Sequence, residues 1–126
     1  MSKIFTPLEA TRTLPLVRQI VRDVLKSGRE LRRLTALGDP TPADEQQAHD
    51  LATSLQELFV ELERIGCTFR GPNFEFGTVD FPGIIDGRPV HLCWRDGEAE
   101  LLYYHDPRAG FAGRQPIPSE LLVAEK

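Results

Sequence analysis

Residues 78–105 read TVDFPGIIDGRPVHLCWRDGEAELLYYH, and the two Asp-Gly pairs within them, Asp86-Gly87 and Asp96-Gly97, decide the fold class. Each pair stands between short runs of mixed apolar and polar residues, and Asp-Gly tolerates the positive φ angles that a two-residue hairpin turn requires. A three-stranded antiparallel meander over Thr78–Ile85, Arg88–Arg95 and residues 98–105 is therefore expected. With two-residue turns, Ile85 faces Arg88 and Arg95 faces Glu98. Val79 and Ala99 then flank Trp94, while Phe81 and Leu101 flank Leu92. One face carries Val79, Phe81, Ile85, Val90, Leu92, Trp94, Leu101, Tyr103 and His105. The other carries Asp80, Pro82, His91, Cys93, Arg95, Glu98, Glu100, Leu102 and Tyr104. Apolar alternation assigns the first set to the core. Pro82 and Pro89 lack ladder donors, so the second strand should begin irregularly.

Upstream, the pattern changes to that of helices. Thr6-Pro7-Leu8-Glu9 combines an N-cap, a proline at the first helical position and a glutamate able to reach back to the cap. Pro15 lacks an N–H and crowds the carbonyl of residue 11, so a short helix followed by a restart near Thr13 is expected. Val17, Val21, Val24, Gly28 and Leu31 then recur in steps of four and three, with Arg18, Arg22, Lys26, Arg29, Arg32 and Arg33 mostly opposite. Gly38-Asp39-Pro40 ends this helix. Thr41-Pro42-Ala43-Asp44 starts another, whose stripe runs through Ala48, Leu51, Ala52, Leu55, Leu58, Phe59, Leu62 and Ile65 to a capping Gly66. So short a connection makes the long helices antiparallel neighbours. The tail after His105 is a loop with two apolar anchors, Phe111 and Ile117.

Composition sets the class. The chain has 126 residues, 15 Lys and Arg against 19 Asp and Glu, and is 40% hydrophobic, which favours one globular domain over disorder. Its helical part is expected over residues 6–66, and its meander and C-terminal loop over residues 67–126. No apolar run approaches the ~20 residues of a membrane span. The N-terminal stretch Met1-Ser2-Lys3-Ile4-Phe5-Thr6-Pro7 lacks the apolar core of a secretory signal, which points to the cytoplasm and to Cys67 and Cys93 as free thiols. A mildly acidic chain without a basic stripe argues against nucleic acid as partner.

Several short motifs resemble a known family. They are Phe5-Thr6 with Glu9-Ala10 and Leu14-Pro15, then Val79-Asp80-Phe81-Pro82, Leu92-Cys93-Trp94-Arg95, Gly97-Glu98, Tyr104-His105, and Gly110-Phe111-Ala112-Gly113-Arg114-Gln115-Pro116. In this order they resemble an uncharacterised family of small bacterial and archaeal proteins, domain of unknown function DUF2203. The C-terminal half carries the specific part of the likeness. Tyr104 departs from it, since the family has a Trp before the His. The family has no established activity, so the resemblance implies kinship and leaves function open.

Two sets of residues can carry chemistry. On the polar sheet face Asp80, Cys93 and Glu100 share one cross-strand row, with His91 two residues from Cys93. Imidazole, thiolate and carboxylate form a ligand set suited to zinc or iron, with His105 as a further candidate. The competing reading is a solvated face with cross-strand ion pairs. His105 at the strand end is also a candidate general base, with Glu98 and Arg114 beside it if the tail folds back. Its alternative role is to bond a backbone carbonyl and lock the tail. Cys67 follows a helix C-terminus, and Cys93 lies mid-strand away from any helix N-terminus, so neither is placed to become a reactive thiolate. Residues 110–114 fit no phosphate-loop pattern, and their glycines read as turn formers.

Two long helices of ~23 residues span roughly 35 Å, whereas eight-residue strands span about 26 Å. A three-stranded sheet leaves part of the helical seam uncovered, to be met either by self-association into a homodimer, the expected partner, or by the C-terminal tail. The fold class is thus α+β: a short kinked N-terminal helix and a long antiparallel helical hairpin packed on the meander. Two functions fit: a non-catalytic cytoplasmic interaction module that self-associates through its hairpin, or a metal-binding protein or metal-dependent hydrolase using the meander. Which protein partner or small-molecule ligand is involved does not follow from the residues.

Overall fold

The structure, a computed structural model, describes residues 3–122; Met1, Ser2 and residues 123–126 lie outside it. Helix α1 runs Pro7–Thr35 and helix α2 runs Pro42–Ile65. Both start on the expected capping boxes. The Thr6 hydroxyl accepts from the Glu9 N–H at 3.1 Å and the Glu9 carboxylate from the Thr6 N–H at 2.9 Å; Thr41 and Asp44 repeat both contacts. Those backbone bonds hold both carboxyls below their ordinary values. Gly66 closes α2 in the left-handed conformation at φ 116°.

The expected break at Pro15 does not occur, and α1 is one helix of 29 residues. Pro15 lies on its exposed side, where solvent can satisfy the carbonyl that the missing N–H leaves free. The inner side carries Ala10, Leu14, Val17, Val21 and Val24, all buried. Alpha-helix α2 buries much less, with only Leu55 and Leu62 fully enclosed among its described residues. No described helix is long and apolar enough to cross a membrane.

The sheet has five strands rather than three. They are β1 (Thr68–Arg70), β2 (Thr78–Ile85), β3 (Arg88–Arg95), β4 (Tyr103–His105) and β5 (Gln115–Pro116), antiparallel and in chain order across the sheet. At the first reversal Asp86 and Gly87 have φ 52° and 77°, and Ile85 faces Arg88 as expected. Val79 pairs Trp94 and Phe81 pairs Leu92, with all four side chains buried. Trp94 faces α1, where the Arg18 guanidinium lies 5.8 Å from its ring. Beta-strand β1 covers only the first half of the outer edge of β2; Phe5 occupies the rest, its N–H donating to the Pro82 carbonyl at 2.7 Å.

The second reversal corrects the expected register. Cys93 pairs Tyr103, Leu92 pairs Tyr104 and His91 pairs His105, three residues further along the chain than two-residue turns allow. The cause lies at Glu98. Its N–H donates to the Arg95 carbonyl at 3.0 Å, as in a tight turn. The reciprocal bond is missing, because the Glu98 side chain accepts the Arg95 N–H at 2.7 Å and the Glu98 carbonyl accepts the Trp94 indole at 3.0 Å. Arg18 then takes the Ala99 carbonyl at 3.0 Å. Residues 96–102 become a loop that buries Leu101, and pairing resumes at Tyr103. A slip by an odd number reverses every side chain of β4. Tyr104 now packs toward the core, whereas Tyr103 and His105, expected inside, share the outer face with Asp80, Cys93 and His91.

Gly28 offers a check on this packing. A methyl group there would overlap the ring of Phe74. The loop bearing Phe74 cannot easily retreat, because Arg29 donates to the Phe74 and Glu75 carbonyls at 2.9 and 3.0 Å and Arg32 to the Asn73 carbonyl at 2.7 Å. Glycine to alanine inside an ordinary helix stabilises by about 0.5–1 kcal/mol. Here Gly28→Ala is expected to destabilise by about 1–3 kcal/mol, the cost of overpacking. Urea unfolding reads the sign, and a variant more stable than the parent would refute this account of the contact.

Candidate functional site

The outer face of the central strands brings four chemically capable side chains together. Asp80 on β2 is opposite Cys93 on β3, and His91 on β3 is opposite His105 on β4. Pleating sends all four to the same side. Asp80 Oδ1 lies 3.1 Å from His105 Nε2, and Asp80 Oδ2 lies 3.5 Å from His91 Nδ1. Candidate ligand atoms of Asp80, Cys93 and His105 all lie within 4.8 Å of one another. The two imidazoles meet edge to face at 5.4 Å. Asp80, Cys93 and His105 are 6%, 1% and 2% exposed, so this is not the solvated face that alternation alone suggests.

His105 stands between two oxygen acceptors. Its Nδ1 lies 2.8 Å from the Asp106 carbonyl and its Nε2 lies 3.1 Å from Asp80 Oδ1. A neutral ring donates to one of these oxygens and turns a lone pair to the other. A ring with an N–H on Nδ1 and a cation shared between Nε2 and Asp80 satisfies both contacts. A backbone carbonyl on Nδ1 is also the partner that orients a metal-binding histidine. His91 Nδ1 is a buried nitrogen without a hydrogen-bond partner, aimed at the other carboxylate oxygen.

Cys93 supplies a sulfur rather than a free nucleophile. Burial pushes its thiol up to about 12, and the Asp80 charge adds to the shift. Burial likewise pushes Cys67 up to about 12; it stands apart, bonded to the Leu62 carbonyl at 3.7 Å. In a tetrahedral site with bonds of about 2.0–2.3 Å, ligand atoms stand about 3.3–3.8 Å apart. To form such a site the 3.1 Å Asp80–His105 contact would open slightly and the wider separations, within 4.8 Å, would close.

The tail covers the cluster. Phe111 packs on Phe76 with centroids 5.7 Å apart, and the Arg95 guanidinium lies 4.7 and 5.5 Å from the two rings. Arg114 sits 4.2 Å from the Tyr103 ring and 4.6 Å from that of Phe111. These contacts account for the burial of polar groups on an outer face.

Of the residues singled out in the sequence, Asp80, His91, Cys93 and His105 converge. Glu100 does not share their row, because the slip leaves it exposed in the loop 96–102. Glu98 and Arg114, considered beside His105, instead form a forked pair at 2.6 and 2.9 Å, with Arg114 also donating to the Cys93 carbonyl at 3.1 Å. Burial opposes the Arg114 charge, but the bonds to Glu98 outweigh it and hold the guanidinium above its ordinary value. Arg70, which no motif in the sequence marks, lies 3.7 Å from Asp80 Oδ2. It enters the site only through β1, whose signal was the alternation Thr68-Phe69-Arg70 before Gly71-Pro72.

Fold and cluster together define an α+β protein with a helical hairpin, a five-stranded antiparallel sheet and a buried His–Cys–carboxylate group on the sheet's outer face. The family described as "Uncharacterized conserved protein (DUF2203)" matches residues 3–117, and the chain belongs to it. Among curated proteins it is similar to the Cardiac-enriched FHL2-interacting protein of Rattus norvegicus, 30% identical over 81 residues. That alignment takes in 64% of this chain and spans 5% of the rat protein's length. No solved structure matches the chain.

The Arg114–Glu98 fork can be tested directly. Arg114→Ala strips a partly buried carboxylate and the Cys93 carbonyl of a donor, and is expected to cost about 1–3 kcal/mol in chemical denaturation. Arg114→Lys should recover less than half, because one ammonium cannot reproduce the fork. An alanine variant as stable as the parent would show the fork to be incidental.

Proposed function

We propose that this chain is a metal-binding protein in which Asp80, Cys93 and His105 hold a divalent transition metal, zinc or ferrous iron, with His91 at or beside the fourth position. The observation that carries the reading is His105: its Nδ1 lies within hydrogen-bond distance of a backbone carbonyl, and its Nε2 faces the Asp80 carboxylate with a cysteine sulfur alongside. A cation bound there would be shared by the imidazole, the carboxylate and the sulfur while Nδ1 donates to the carbonyl. Thiolate with imidazole suits zinc and iron better than calcium or magnesium, which prefer oxygen alone. Three protein ligands also leave a tetrahedral position for His91 or for water, as a metal-dependent hydrolase would need.

The test is elemental analysis of tag-free protein, alongside Co²⁺ titration followed for a thiolate-to-metal absorption band. One equivalent of zinc or iron is expected, lost in Cys93→Ala and His105→Ala and retained in Glu100→Ala. Circular dichroism of each variant separates loss of metal from loss of fold. Folded parent protein that is metal-free and takes up no Co²⁺ would end the proposal.

A second reading, self-association through the hairpin, is supported by α2. Leu51, Leu58, Phe59, Val60 and Ile65 stay only half-buried, with just Leu55 and Leu62 enclosed. Light scattering at micromolar concentration should then give about twice the chain mass of 14.2 kDa. A mass of one chain across the range would dismiss the dimer without touching the metal reading.

A further inference from the structure

A cavity of about 270 Å³ opens beside the cluster, walled by Asp80, His91 and His105 on one side and by Arg70, Arg108 and Phe111 on the other. The geometry points to a small organic anion, carrying a carboxylate or phosphate group, as its ligand. This deepens the metal reading and rests on it.

The argument begins with which arginines are engaged. Arg18, Arg29, Arg32, Arg33 and Arg114 donate side-chain hydrogen bonds to named acceptors. The Arg70 and Arg108 guanidiniums make none among the described residues. Arg70 has only the 3.7 Å approach to Asp80 Oδ2, longer than a charge-assisted hydrogen bond, and its side chain is 62% exposed. Arg108 is held from its backbone, its N–H donating to Asp106 Oδ1 at 2.8 Å, and its side chain borders the same opening.

Charge then sets the sign of the site. A divalent metal balances the Asp80 carboxylate and the Cys93 thiolate, and by claiming the carboxylate oxygens it removes the weak partner of Arg70. Two uncommitted guanidiniums remain facing the cavity, each with paired donors matched to carboxylate or phosphate oxygens. His91 lines the same cavity, and Phe111 offers an apolar wall for the body of the ligand. A small cavity with an apolar wall and a few convergent polar groups is the usual form of a small-molecule site. Bulk anionic polymers do not fit a pocket of this size.

Isothermal titration of the tag-free protein, metal content measured on the same sample, tests the idea with inorganic phosphate and succinate as probes. Saturable binding of at least one probe is expected, weakened about tenfold or more by Arg70→Ala and by Arg108→Ala, each removing charge-assisted bonds. Both positions are exposed, so these variants should keep their fold and metal content. Metal-replete protein that binds neither probe at millimolar concentration overturns the anion site alone. Binding that both substitutions leave unchanged also overturns it. Metal-free protein that takes up no Co²⁺ fails the underlying reading instead, whatever the titration gives.

Discussion

Glu98 uses its carboxylate in two directions. One oxygen accepts the Arg95 N–H at 2.7 Å, and both bind the Arg114 fork at 2.6 and 2.9 Å. The first contact removes the donor that would have closed a two-residue hairpin. The second draws the tail back over the end of β3, where Arg114 reaches the Cys93 carbonyl. The register of β4 and the cover over the outer face therefore share one anchor. Had the hairpin closed normally, His105 would lie among the core side chains and Glu100 would be opposite Cys93. The cluster exists because a turn is held open.

Burying Asp80 with His105 and a thiol opposes folding unless something repays the lost hydration. Hydrogen bonds offset part of it: the Asp106 carbonyl serves His105, and Thr78, buried beside Asp80 on β2, satisfies its hydroxyl at the Arg70 carbonyl at 2.7 Å. His91 Nδ1 is left without a hydrogen bond, 3.5 Å from Asp80 Oδ2. Apolar residues of similar volume would pack such a site more cheaply. A fold that maintains the arrangement beneath an aromatic and arginine cover is specifying polarity at that place, which is the physical reason for regarding it as a site rather than as an accident of packing.

How much of this was legible depends on the range of the interactions involved. Thr6-Pro7 with Glu9 and Thr41-Pro42 with Asp44 act within one helical turn, and the structure repeats both readings. Asp86-Gly87 acts within four residues, so the β2–β3 register followed from it. Asp96-Gly97 carries the same local signal and misleads, because Trp94, Arg18 and Glu98 take the backbone groups that the turn would use. Arg18 is 81 residues away from the carbonyl it binds, and no local pattern reveals that. Pro15 misled for a related reason: its penalty depends on whether its side of the helix meets water. Beta-strands β1 and β5, with three and two residues, are too short for period-two alternation to register.

The candidate site shows the same division. Asp80, His91 and Cys93 lie on the hairpin whose register was readable, and their common face followed from parity alone. His105 arrived by a slip of three, so its convergence with Asp80 was reached in the sequence by chemistry and not by geometry. The oxygen facing its Nδ1 comes from one residue further along. That Asp106 carbonyl also accepts the Ala109 N–H at 2.9 Å, and the Asp106 side chain caps Arg108 at 2.8 Å. Residue 106 thus couples the His105 ring to the loop that carries Arg108 to the cavity. Orientation of the imidazole and shape of the opening are consequences of one turn, so a change in that loop must also act on the His105 ring.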